Sequence, residues 1–207
     1  MGAYILEESD DVFWMTTNRI ETLVDGIFAI AMTLLILSLA VPEISSPLSN
    51  AVINNVLSSL YPKFFVFVLS FILLAVFWSL HHRAFHYIKK ANNIFLWLNI
   101  IWLLFIVMVP FSQTFIGKYG GFTTSELIYT LNLMGIAIFM TLIWYYAVKK
   151  QLISKNISKK RLSKMSRDFL VFVFVAFLAV IMAFILPEWA TLTYMLIIPL
   201  AILVDRL

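Results

Sequence analysis

The sequence predicts an all-α, polytopic membrane protein with six transmembrane helices and both termini in the cytosol. Three observations carry this. Of 207 residues, 62% are hydrophobic and only 13% are charged, a balance that a water-soluble domain of this length could not bury. Long apolar stretches recur along the whole chain, leaving no polar block for a separate domain, so residues 1–207 form one membrane domain. The basic residues fall almost entirely on alternate connections, the pattern that sets membrane orientation.

A helix needs about 20 apolar residues to cross a hydrocarbon core roughly 30 Å thick. Such stretches fall at about 20–41, 62–80, 94–111, 126–148, 168–186 and 188–204. Pro62 and Pro187 suit helix starts, where the missing N–H costs little. The last stretch is short and carries Pro199. Between the first two spans, Leu48, Val52, Val56 and Leu60 recur every four residues among Ser and Asn, which predicts a short amphipathic helix on the outer face.

Six spans place thirteen Lys and Arg on one side, eight of them between Lys149 and Arg167, and only Lys63 and Lys118 on the other. Positively charged loops stay cytoplasmic, so the N- and C-termini are expected inside a cell membrane, with lipid as the partner of the apolar faces. The pI near 9.3 thus reflects orientation rather than nucleic-acid binding, and the 149–167 run doubles as a candidate contact for anionic lipid. The acidic first eleven residues lack the basic n-region of a cleavable signal peptide. With no cysteine, disulfides, thiolate metal sites and thiol catalysis are excluded. No span pairs a nucleophile with a base, and the loops are too short for a catalytic domain, so no enzyme is expected.

Ionisable residues inside a span mark candidate sites. The first helix carries Arg19, Glu21 and Asp25, the last about 9 Å along the axis from Arg19. At a similar depth the second helix ends in Trp78-Ser79-Leu80-His81-His82-Arg83, and the third begins at Asn92-Asn93 with Asn99 deeper. The economical reading is one buried network joining three helices through Arg19, Asp25, Trp78, His81, His82 and Asn93. His82 and His86 have the i, i+4 spacing of helical metal ligands, but no carboxylate or third imidazole lies near them in sequence, and no metal is assigned. A proton-sensing histidine stays open. Trp78, Trp97, Trp102 and Trp144 read as packing or interfacial anchors rather than a ligand box.

The run Arg19-Ile-Glu-Thr-Leu-Val-Asp25-Gly26-Ile-Phe28-Ala-Ile30-Ala-Met-Thr33-Leu34-Leu-Ile-Leu37 resembles the first-helix signature of one potassium-channel family. The family is typified by the endosomal and lysosomal potassium channel of animals (transmembrane protein 175), and this chain is similar to its prokaryotic single-repeat members. Arg19 and Asp25 fall on the Arg and Asp of the motif, while Leu23 and Val24 replace its Phe and Ser. The likeness continues in Trp78, His81-His82-Arg83, Asn92-Asn93 and Pro110-Phe111 at the close of the third helix. It implies a homotetramer that passes potassium ions with no bound cofactor, through a pore lined by four copies of the first helix. Ile30 matches the constriction of the family, Leu34 and Leu37 form further apolar layers, and Thr33 matches a hydroxyl layer favouring potassium.

Helical arithmetic accommodates this. At 100° per residue, Gly26, Ile30, Thr33, Leu34, Leu37 and Val41 share one stripe, and Asp25 lies about 140° from Ile30, pointing back into the subunit. Periodicity alone would read that stripe as packing surface; the resemblance makes it a pore. No Thr-Val-Gly-Tyr-Gly filter is present, since Lys118-Tyr119-Gly120-Gly121-Phe122 is not equivalent, so a ring of backbone carbonyls is excluded and an apolar constriction that gates by dewetting is expected. The alternative is a proton-coupled secondary transporter using Asp25 and His82.

Overall fold

A computed structural model of the chain describes residues 16–44, 47–197 and 199–200. Among these, five helices are long and apolar enough to cross a membrane, and the chain is an integral membrane protein. Helix α1 (Thr17–Leu34) continues as a 3₁₀ segment, Leu35–Leu39; α2 is Asn50–Ser59, α3 Tyr61–Tyr87, α4 Asn93–Tyr119, α5 Thr123–Lys149 and α6 Lys159–Ile185. The four helices of 27 residues each are about 40 Å long, enough to cross the hydrocarbon and reach past both boundaries. The expected second, third and fifth spans were therefore drawn too short, because hydropathy marks only the part of a helix inside lipid.

The expected sixth span, 188–204, is described only in part: a single α turn, Pro187–Ala190 (α7), a 3₁₀ segment, Thr191–Leu196, and helical residues at 197 and 199–200. The remainder of that stretch lies largely outside the described residues, as do both termini and the acidic stretch 1–11.

Local chemistry sets the boundaries. Ser49, Asn92 and Ser158 each accept a backbone N–H from the first turn of α2, α4 and α6, satisfying donors that a helix start leaves free. Pro62 lies in the first turn of α3. Pro110, expected to close the third helix, lies inside α4 instead, which proceeds because lipid offers the backbone no other partner. The α4–α5 turn needs Gly121, at φ +84°, and Ser125 Oγ closes it with one hydrogen shared between the carbonyls of Tyr119 and Phe122.

Packing follows from one face of α1 and the all-round apolar character of α3 to α6. Ile20, Val24, Phe28, Ala31 and Leu35 form a buried i, i+4 line on α1, which packs on α3 and α4. Helices α4, α5 and α6 pack in sequence, and Gly135 of α5 is where the Phe105 ring lies against the backbone, since an added Cβ would come within 2.5 Å of it. In α2 the half-buried positions are Val52 and Val56, with Leu60 next, the four-residue line read from sequence.

Candidate pore helix and its polar anchors

Helix α1 is the least covered of the five: 22% of its apolar window is buried, against 33–50% in the others. Its exposed face carries Gly26, Ile30, Thr33, Leu34 and Leu37, with Ile30 61% and Leu37 69% exposed. Phe28, on the opposite face, is buried against Trp102 at a centroid distance of 5.4 Å. Thr33 Oγ1 donates to the carbonyl of Ile30 at 2.8 Å. Its one hydrogen is thus committed to the backbone, and the hydroxyl presents oxygen lone pairs outward. Leu34 and Leu37 bracket the change to 3₁₀ geometry, in which residues three apart eclipse. Val41, assigned to the same stripe, lies beyond the last helical residue.

The 3₁₀ segment is tethered. Ser38 Oγ donates to Leu35 O at 2.9 Å and accepts from Gln113 Nε2 of α4 at 2.7 Å. Gln113 is fully buried and its Oε1 has no partner among the described residues. Sequence reasoning missed Gln113. Gln113 lies two residues beyond the 94–111 stretch read as the third span, so hydropathy gave no reason to count it as a polar group inside the membrane.

The expected single network is two separate arrangements. Along the α1–α3 seam, Trp78 Nε1 donates to Asp25 Oδ1 at 2.8 Å, and His82 Nδ1 pairs with Glu21 Oε1 at 2.9 Å. The spacings 21/25 and 78/82 make these two rungs of one antiparallel ladder, with Trp78 and His82 stacked at 5.8 Å. Asp25 is exposed in the single subunit, correcting the expectation that it points into the scaffold. On the helical wheel it lies about 100° from the centre of the buried line, which puts it on the flank. Asp25 and His82 have different partners, and no direct bond joins them into a relay.

The second arrangement is buried. His81 lies between the rings of Phe85 and Trp102, at 4.1 and 4.7 Å. Asn99 Nδ2 donates to Phe95 O at 2.8 Å, so its Oδ1 faces His81 Nε2 at 3.2 Å and accepts the proton that nitrogen carries. Trp102 Nε1 donates to Ile136 O of α5 at 3.1 Å. Arg19 and Asn93 belong to neither arrangement. Both are exposed, and among the described residues no side-chain partner is found for either. The helix start uses Asn92 instead, which caps Phe95 N and donates through Nδ2 to Tyr146 Oη at 3.0 Å.

A further polar group lies at the opposite end. Glu126 is buried, accepting from Thr191 Oγ1 at 2.8 Å and from Gly121 N at 3.3 Å, and so holds the segment after α6 against α5.

A family model described as "Endosomal/lysosomal potassium channel TMEM175" matches residues 19–110, which hold α1, the ladder and the His81 cluster. A potassium channel of Chryseobacterium sp. (strain P1-3) is 34% identical over 128 residues, covering 56% of this chain and 63% of that one. A potassium channel of Chamaesiphon minutus is 31% identical over 134 residues, covering 63% and 66%. The matched segment thus spans just under two thirds of these curated relatives. A solved structure, described as that of a lysosomal potassium-selective channel TMEM175 homolog from Chamaesiphon minutus, superposes with a TM-score of 0.71 at 25% identity, covering 90% of this chain and 94% of that one. The motif on α1 and the arrangement of helices around it agree, and these likenesses together support a place in the family of the endosomal/lysosomal potassium channel TMEM175.

Proposed function

We propose that this protein is a potassium-permeable cation channel of the cell membrane, a homotetramer in which four α1 helices line the pore. The observation that carries this is the exposed face of α1. It joins Gly26 and the Thr33 hydroxyl to Ile30, Leu34 and Leu37, with a carboxylate, Asp25, on its flank. Lipid cannot solvate such a carboxylate cheaply, whereas other copies of the chain and a water-filled path can. Ile30 is the constriction, Leu34 and Leu37 are further apolar rings, and the Thr33 oxygens form the layer that favours potassium. Six spans with cytosolic termini complete the topology, supported by the thirteen-to-two division of Lys and Arg. The named relatives are potassium channels, and an ion-channel family is not an enzyme class.

The test is potassium flux through purified protein in proteoliposomes, with subunit number read by native mass spectrometry. Four subunits and flux far above transporter turnover are expected. A monomer that conducts would rule out the central pore.

Asp25→Ala is expected to impair assembly more than selectivity. It removes the acceptor of Trp78 Nε1, and a hydrogen bond to a charged group contributes about 1.5–3 kcal/mol. The tetramer fraction in detergent should fall several-fold, while Asp25→Asn, which keeps an acceptor oxygen, should lose less. An Asp25→Ala tetramer of normal yield with lost potassium preference would place Asp25 in the pore.

A further inference from the structure

Two helix connections meet at one end of the bundle: residues 88–92 join α3 to α4, and 150–158 join α5 to α6. They are stitched together by backbone. Ile88 and Ile153 form an antiparallel bridge. Lys89 N and Lys90 N both donate to Leu152 O, at 2.9 and 3.2 Å, and Ser154 N donates to Tyr87 O at 2.7 Å. Ile88 and Leu152 are buried beneath the crossing. Gln151, at φ +54°, takes a conformation unusual for a residue with a side chain, as a fixed turn would impose. These are short, pinned connections rather than loose loops.

The stitch borders an open cavity of about 430 Å³. Lys89, Lys90 and Lys155 stand at its rim, Val148, Leu152 and Ile157 form its apolar wall, and no acidic side chain lines it. The three lysines are exposed, and none has an ion-pair partner among the described residues. Three uncompensated cations are thus held around a preformed hollow at the level where four membrane-crossing helices end.

We propose that this cavity binds the phosphodiester headgroup of an anionic phospholipid. Each lysine is a compact charge with three donors on a flexible stem, suited to a phosphate approached from several sides. Basic pockets between helices at a membrane boundary attract anionic headgroups on these terms. The apolar wall distinguishes a lipid from free phosphate, since Val148, Leu152 and Ile157 give the glycerol and first acyl carbons a surface that a hydrated ion would not use. A bound lipid would tie the α3–α4 and α5–α6 connections through one shared anion. This inference rests on the helices spanning a bilayer and not on conduction, so its test is read without ion flux.

The test is a lipid titration of the full chain in detergent, read by native mass spectrometry, with phosphatidylglycerol against phosphatidylcholine. Phosphatidylglycerol is expected to be retained and phosphatidylcholine not. Each lysine near an anionic group contributes about fivefold in affinity, so Lys89→Gln/Lys90→Gln/Lys155→Gln should lose roughly a hundredfold. Lys150→Gln/Lys159→Gln/Lys160→Gln removes the same charge from the same basic region but outside the cavity, and should lose little. The triple arginine variant at 89, 90 and 155 should bind within a few-fold of the parent. Should the glutamine triple fail to fold, Lys155→Glu alone should still lose at least about fivefold. Equal losses in the two glutamine triples, or equal retention of the two lipids, would overturn the proposal. So would millimolar inorganic phosphate raising the melting temperature in lipid-free detergent as much as phosphatidylglycerol does, which would make free phosphate the ligand.

Discussion

Replacing Ile30 with Asn is expected to raise resting potassium flux by roughly an order of magnitude or more while eroding preference for potassium over sodium. Ile30 is 61% exposed on the uncovered face of α1, and four such side chains in a ring would exclude water at small radius. An apolar constriction of this kind blocks ions by drying, so a side chain that hydrogen-bonds water removes the barrier without changing the fold. Thr33→Val should act differently. It keeps the shape of the side chain but deletes the oxygen that Thr33 presents outward, lowering selectivity with a smaller effect on leak. Phe28→Leu is the control. Phe28 is 1% exposed and packed on Trp102, so the substitution loosens the scaffold without touching the open face and should leave flux per tetramer nearly unchanged. The measurement is potassium flux in proteoliposomes, normalised to tetramer content. If Ile30→Asn behaves as the parent while Phe28→Leu alters flux, the conduction path does not run along this face.

Trp102→Ala is expected to be the most destabilising single substitution outside the pore face. Trp102 is fully buried and touches three other helices: Phe28 of α1, His81 of α3 at an interplanar angle of 8°, and the Ile136 carbonyl of α5. In a water-soluble core such a truncation costs about 3–5 kcal/mol. Inside lipid there is no water to drive association, and packing and hydrogen bonding carry helix contacts, so a loss of about 2–3 kcal/mol follows. Thermal unfolding in detergent should show a drop of several degrees in Tm. Trp102→Phe should recover much of it, because the ring restores the stack on His81, leaving the bond to Ile136 and part of the buried indole volume missing. A Trp102→Ala protein melting with the parent would mean that α1, α3 and α5 are held together elsewhere.

Much of the fold was legible because lipid makes a simple demand. Every backbone group in the hydrocarbon must be paired within its own segment, so apolar runs become helices whatever lies beside them, and five long helices stand where the runs predict them. Their ends were legible only where a residue with a local role marked them, as Pro62 and Asn92 do; the cap at Ser158 was not read from the sequence. Where hydropathy alone was the guide, the ends came out short, since a helix does not stop where it leaves lipid. Pro110 shows the converse: a strong local signal overridden, because α4 had no alternative partner for its backbone.

The stripe on α1 illustrates what the sequence by itself determined. The period of 3.6 separates Ile20, Val24, Phe28, Ala31 and Leu35 from Gly26, Ile30, Thr33 and Leu37 before any neighbour is known. Which of the two lines is covered is a tertiary fact, fixed by α3 and α4 packing on the first and leaving the second open. The polar residues were harder still. Depth along the axis placed Asp25, His81 and His82 at one level, which suggested one network. Rotation about the axis, which depth does not report, divides them: His81 turns inward to Asn99 and Trp102, while His82, one residue further on, turns outward to Glu21. The stitch between residues 88–90 and 152–154 was beyond sequence altogether. The charges of 149–167 read as an orientation signal and a candidate lipid contact with no defined site, and it took the packing of two helix hairpins side by side to bring Lys89 and Lys155, 66 residues apart in the chain, to the rim of one cavity.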